Sequence, residues 1–446
     1  METSQSKLMN RWLVVVGAVL IQLCLGAIYA WSAYTKELTD PEGIYKLTAT
    51  QSQWIFSVGL ATFALVMVFA GNWQKKAGPK LVAVTGGIVL GAGYILAGFL
   101  GSSFWTQLIL IGLIGGAGIG LAYVCPIAVG VKWFPDKKGL ITGLAVAGFG
   151  FGATIWVKVA NGFFGWPGLI KSMHFLNDSG VQSTWLIFGI AYLIAVLIGS
   201  IWMVNPPDGY RPAGWTPPTD TKAAPSGAVE FGQFDMLRTS QFYMIWFCFI
   251  AGAMAGLMVV GVIKLFGMDS LQTGGASIEA AGAITATAMG VFYALANGIG
   301  RIVWGMVSDR IGRKTAIFLM CLLQGIAMLT FWFVGKSVAM FYLWSTVIGF
   351  NFGGNFALYP AATADYFGNK NVGVNYGWMF TAYGVGGIVG PVIAGMFKDQ
   401  VPGDAAIAVK YAAWMAPFLI AGIVCLIAAV VILLTQKPKA GKSQAG

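Results

Sequence analysis

Charge is what this 446-residue chain has least of: Asp, Glu, Lys and Arg make up 10% of it, against about 25% in a typical soluble domain. With 57% hydrophobic residues, it has too little polar surface to form a soluble globule. Histidine is nearly missing, His174 standing alone, and the five cysteines (Cys24, Cys125, Cys248, Cys321, Cys425) lie singly in apolar stretches. No Cys/His spacing suits zinc, haem or an iron–sulfur cluster, so no metal site or cofactor is expected. Nor is there a disulfide framework. No phosphate-binding GxxxxGK[ST] loop and no nucleophile–base pair is found, which argues against ATP-driven pumping and against an enzyme. The net charge of +11 comes from 27 Lys and Arg against 16 Asp and Glu. Spread thinly between long apolar runs, these cations read as loop charges of a membrane protein and not as a nucleic-acid surface.

What the chain has is apolar length. A helix crossing ~30 Å of hydrocarbon needs ~20 apolar residues, and twelve runs qualify: 12–35, 52–72, 80–101, 106–130, 139–164, 183–204, 242–266, 280–306, 315–335, 338–362, 372–397 and 411–435. The first is too long for a signal-peptide core and reads as an uncleaved span. Between the sixth and seventh, residues 205–240 hold six of the 16 prolines and seven charges, which no membrane helix accommodates. The expected organisation is an N-terminal six-helix bundle over 1–204, a linker over 205–240, a C-terminal six-helix bundle over 241–436 and a tail over 437–446. Counting Lys and Arg in alternate loops gives 18 on the side of the termini and linker and 6 on the other. The positive-inside rule therefore places both termini and the linker in the cytoplasm, with the chain in the inner membrane.

The halves echo one another. Pro126, Trp133, Phe134, Lys137, Gly139 and Gly143 after the fourth span parallel Pro360, Tyr366, Phe367, Lys370, Gly373 and Gly377 after the tenth. Gly71 to Lys80 sits after span two where Gly305 to Lys314 sits after span eight. Internal repetition of six-span halves is a transporter signature, with the site between the halves near midplane.

The stretch Gly305, Asp309, Arg310, Gly312, Arg313, Lys314 resembles the loop motif G-x-x-x-D-R-x-G-R-[RK] of the major facilitator superfamily. The first-half copy has Lys75 in place of the acid. KWFPDKKGLITGLAVAGFGFGA (132–153), NGIGRIVWG (297–305) and NFALYPAATADYFG (355–368) are similar to the oxalate/formate antiporter family within it, relatives of the monocarboxylate transporters. The resemblance implies an all-α fold of twelve transmembrane helices in two pseudo-symmetric bundles, and carriage of small organic anions by alternating access. In the motif, Asp309, Arg310 and Arg313 would form a latch at the loop and a neighbouring helix.

Arg301 is the residue that the chain itself singles out. It lies eight residues, about 12 Å of helix, before Asp309, near the middle of its span, where an arginine costs at least ~2.5–3.5 kcal/mol. No Asp or Glu falls in the interior of a run to pair with it, so an incoming carboxylate, gripped by the guanidinium fork, is the expected partner. The alternative is a structural network with backbone carbonyls. Asn297 and Tyr293 share its helix stripe, and Asn351, Asn355 and Tyr359 repeat that spacing on span ten. Interhelical hydrogen bonding is an equal reading of the Asn residues. Tyr29, Tyr123 and Tyr383, in spans one, four and eleven, resemble the family's aromatic box around a small anion.

Two departures bear on the cargo. Oxalate carriers of the family have a second cation in span eleven, where this chain has Tyr383 nearby; one embedded cation suits one carboxylate. Proton-coupled monocarboxylate transporters have an Asp where this chain has Asn297, so no protein proton carrier is visible, and either a co-transported proton or a counter-anion remains open. Lys158 and Lys264, near the outer ends of their spans, are expected to snorkel to the surface, the alternative being an electropositive vestibule. His174 reads as a solvated loop residue. Glycines at Gly112, Gly116, Gly120, Gly349, Gly353 and around Gly148 and Gly386 allow close helix approach, whether for packing or for gating. The reading is a carrier of monocarboxylates such as lactate, pyruvate or formate. The alternatives are an oxalate/formate-type exchanger and a non-transporting sensor on a transporter scaffold.

Overall fold

In a computed structural model, the described residues are 9–134, 138–163, 165–174, 176, 180–207, 210–212, 230–368 and 371–438. The middle of the linker and the tail from 439 lie outside them, as do Lys137 and Lys370 of the sequence repeat. The long helical segments are α1 (Arg11–Ala33), α2 (Ala49–Ala77), α3 (Pro79–Phe99), α4 (Phe104–Trp133), α5 (Lys138–Asn161), α6 (Gly180–Ser200), α7 (Ser240–Thr273), α8 (Ile278–Ile311), α9 (Arg313–Val334), α10 (Val338–Phe367), α11 (Val372–Asp399) and α12 (Ile407–Leu434). No named strand occurs among the described residues. Ten of these segments are long and apolar enough to cross a membrane; α5 and α10 are outside that ten. In α10 the reason is chemical, because Asn351 and Asn355, both buried, dilute its apolar stretch.

Glycine sets how closely the helices approach. A Cβ on Gly26 of α1 would lie 2.0 Å from the Phe149 carbonyl oxygen of α5, and one on Gly152 would lie 2.3 Å from that of Leu23. The same device joins α8 to α10, where Gly300 faces the Phe350 carbonyl and Gly353 the Asn297 carbonyl. All five cysteines are free and buried, as small packed thiols in apolar runs should be. Apolar side chains such as Leu65, Phe69, Ile194, Phe333 and Val430 are exposed on helix surfaces, the expected pattern where the surrounding solvent is lipid.

The repeat read from the sequence has a backbone counterpart. Gly78 between α2 and α3 and Gly312 between α8 and α9 both have φ 85° and ψ 152°, each ending one helix and starting the next. Only glycine adopts this conformation without strain.

Three helices depart from regular α geometry over part of their length. Gly26–Ala33 of α1 is 3₁₀, and Leu108–Gly115 of α4 and Ala288–Tyr293 of α8 are π-helical. Such irregular turns re-aim side chains and collect at functional sites.

A lone guanidinium in an aromatic cage

Arg301 projects from α8 and is 4% exposed. Its approach to the first half of the chain depends on two glycines. Gly150 of α5 faces Gly298 of α8, and a Cβ on Gly298 would fall 2.3 Å from the Phe151 ring. With the backbones so near, Arg301 Nη1 donates to the Val146 carbonyl of α5 at 2.8 Å. One turn back on its own helix, Asn297 accepts from Arg301 Nε through Oδ1 at 3.2 Å.

Aromatic rings close the remaining sides. The guanidinium carbon lies 4.0 Å from the Phe356 ring centroid and 5.9 Å from that of Phe149, within cation–π range. Tyr29 packs edge-on to Phe149 and Phe352, and Tyr123 packs edge-on to Phe63 and Phe149. The hydroxyls of both tyrosines are within electrostatic and hydrogen-bonding reach of the Arg301 side chain. The Tyr383 hydroxyl donates to the Tyr29 hydroxyl at 3.0 Å, joining α11 to α1.

The cage leaves polar capacity unused. Arg301 Nη2 and Asn297 Nδ2 are buried without a hydrogen-bond partner, and no carboxylate pairs with Arg301 among the described residues. A buried donor without an acceptor carries its full desolvation cost, about 1–3 kcal/mol and more when charged.

The other residues singled out from sequence are placed variously. Asn355 turns toward α7, its Oδ1 2.4 Å from where a Cβ on Gly252 would lie, while its Nδ2 donates to the Phe352 carbonyl; its neighbour Phe356 is the residue over the guanidinium. Tyr293 donates to the Gly256 carbonyl at 3.0 Å, and Tyr359 stacks on Phe249. His174 is exposed. At the loop motif, Arg313 pairs with Asp309 (2.6 Å) and with Asp365 of α10 (3.4 Å), and also donates to the Ser308 hydroxyl. Arg310 is exposed.

Two expectations are corrected. Lys264 does not snorkel: it is 6% exposed and its Nζ is held by Glu37 (3.1 Å), the Ala33 carbonyl (2.9 Å) and Asn161 Oδ1 (3.2 Å). The acceptors come from other helices, invisible along the chain. Lys158 Nζ likewise reaches Thr287 of α8, at 3.1 Å. Second, α7 continues beyond residue 266 to Thr273, which brings Asp269 inside the helix, 7% exposed. Lys398 and Trp414 satisfy its carboxylate, which is why that turn tolerates a buried acid.

The chain is similar along its length to known carriers. It matches the family model described as Major Facilitator Superfamily over residues 11–292 and 275–446. It is 30% identical over 386 residues to the uncharacterized MFS-type transporter YhjX of Escherichia coli (strain K12), covering 85% of this chain and 86% of that one. It is 28% identical over 432 residues to the oxalate:formate antiporter of Oxalobacter formigenes (96% and 92% covered). Apicoplast pyruvate carrier 1 of Toxoplasma gondii is 24% identical over 457 residues (85% and 82% covered). In fold, it superposes on a bacterial homolog of the human lysosomal transporter Spinster with a TM-score of 0.66 at 16% identity, covering 95% and 96% of the two chains. Family, fold and apolar helices agree: the chain is a multi-pass membrane transporter that belongs to the major facilitator superfamily.

Proposed function

We propose that this transporter carries small organic anions, monocarboxylates such as lactate, pyruvate and formate above all, by alternating access with the substrate carboxylate held at Arg301. The observation that carries the reading is the buried guanidinium with Nη2 unpartnered and no protein carboxylate beside it. A carboxylate matches the guanidinium fork and neutralises its charge. Asn297 Nδ2, also unpartnered, is a second donor on the same helix face. The ring cage of Phe149, Phe356, Tyr29, Tyr123 and Tyr383 suits a cargo of few atoms and offers no second cation for a second carboxylate. The named cargoes of the relatives, oxalate with formate and pyruvate, are of the same chemical class. An oxalate/formate-type exchanger is the second reading, favoured by the antiporter's likeness across 96% of the chain.

In this reading all twelve long helices are spans, arranged as six-helix units over 1–204 and 241–436 and joined by the linker 205–240. Both termini and the linker face the cytoplasm in the inner membrane, as the charge bias supports. An empty, charged cage resists closure and a loaded, neutral one permits it. Exchange follows if only the loaded carrier crosses; symport follows if a proton accompanies the anion. The test is counterflow of labelled substrate in proteoliposomes, with formate, lactate, pyruvate and oxalate at two external pH values. Counterflow driven by the monocarboxylates is the expected result, and a response to oxalate alone overturns the substrate assignment.

A further inference from the structure

At the end of the molecule opposite the linker, the two halves of the chain are joined by two polar clasps that the anion site does not use. The first is the Lys264 ammonium of α7. Its three acceptors, the Ala33 carbonyl, Glu37 and Asn161 Oδ1, all belong to the first half, at the ends of α1, the short helix Thr35–Leu38 and α5. One ammonium has three protons to give, so its hydrogen bonding is complete only while these four elements touch.

The second clasp is Asp399, the last residue of α11. Its two carboxylate oxygens accept from the backbone N–H groups of Ala49 (2.7 Å) and Thr50 (2.8 Å), the first two residues of α2. Thr48 takes the next N–H, that of Gln51, at 3.1 Å. A carboxylate from one half thus completes the N-terminal cap of a helix in the other, where the free N–H groups and the helix dipole favour negative charge. Between the clasps, Gln53 of α2 donates to the Gly261 carbonyl of α7 at 3.2 Å.

The clasps are mechanically linked. Asp269 of α7 pairs with Lys398, the residue before Asp399, and accepts from Trp414 Nε1 at 2.8 Å. This buried pair ties the helix bearing the Lys264 clasp to the helix bearing the Asp399 clasp. At the linker end the described side-chain bonds behave otherwise. Those of Lys132, Trp133, Asn375 and Trp378 stay within one half or reach the linker.

We propose that Lys264 with Glu37 and Asn161, and Asp399 with the α2 N-terminus, form a two-point latch that closes the transport path at the end opposite the linker. Asp269 and Lys398 are positioning residues that make both points release together. The inference requires only a transporter whose halves separate at this end, and stands apart from the identity of the anion at Arg301.

The test uses the full-length protein in lipid nanodiscs, spin-labelled at Glu42→Cys and Asp404→Cys, exposed positions in loops of the two halves at the latched end. The native cysteines are buried. Double electron–electron resonance reads the distance, and a second label pair at Lys76→Cys and Ser240→Cys, both exposed, reads the linker end. The labelled parent is expected to show one short distance at the latched end. Asp399→Ala, an exposed change that leaves the core intact, raises the open-to-closed ratio about fivefold, and Lys264→Gln raises it about a hundredfold. Both shorten the linker-end distance, which a merely damaged fold would broaden. Asp269→Asn gives the same opening although it touches no first-half residue, while Lys398→Arg keeps the parent distribution. Unchanged distances in both Asp399→Ala and Lys264→Gln overturn the latch. Parent-like distances in Asp269→Asn overturn the linkage of its two points.

Discussion

Arg301 and Lys264 are two buried cations in the same low-charge chain, 4% and 6% exposed, and they are treated in opposite ways. Around Lys264 the protein supplies a carboxylate, a carbonyl and an amide oxygen, one for each proton. Around Arg301 it supplies one carbonyl, one amide oxygen and aromatic faces, leaves Nη2 unpartnered, and withholds any acid among the described residues. A buried charge without a counter-charge is expensive. The same fold satisfies Lys264 completely, so it is able to neutralise a buried cation. In the function proposed above, the cation left without a counter-charge, Arg301, is the one that meets the cargo.

That contrast can be broken most severely at the centre. Arg301→Lys keeps the charge and loses the fork, so uptake in proteoliposomes is expected to fall about 10- to 100-fold, the worth of a charge-assisted hydrogen bond, with protein levels in the membrane maintained. At Lys264, removal of the counter-charge should act on stability. Glu37→Gln leaves the ammonium without its counter-ion at a cost of about 3 kcal/mol, read as a lower melting temperature in detergent. Phe356→Leu removes the ring under the guanidinium, and substrate affinity should weaken by about three- to tenfold, the range of a desolvated cation–π contact. Arg313→Ala is expected to cost about 1 kcal/mol or less, since Asp309 and Asp365 are well exposed and their pairs with it are screened.

The sequence revealed the apolar helices and the anomalous arginine because both are properties of a local stretch: run length, and a charge eight residues inside a helix end. It also placed Asn297 beside Arg301, since four residues along a helix share a face. The rest of the cage is a product of tertiary packing. Phe149 and Phe356 were two among 62 aromatics, and only the glycine contacts of α5 with α1 and α8 bring Phe149 and the Val146 carbonyl to the guanidinium. Lys264 and Asp269 were misread for the same reason. Their partners Glu37 and Lys398 lie 227 and 129 residues away along the chain, so a cation at a helix end looks free to reach water when it is enclosed. The tenth helix was legible as a long run, interrupted by Asn351 and Asn355, which are both buried.

The claim that the free guanidinium at the centre is the carboxylate site is tested most directly by ligand-induced thermal stabilisation of the purified transporter and its Arg301→Lys variant, with formate, lactate, pyruvate and oxalate. A monocarboxylate is predicted to raise the melting temperature of the parent in a concentration-dependent manner and to leave that of the variant unmoved. Equal stabilisation of both proteins by the same anion would contradict it.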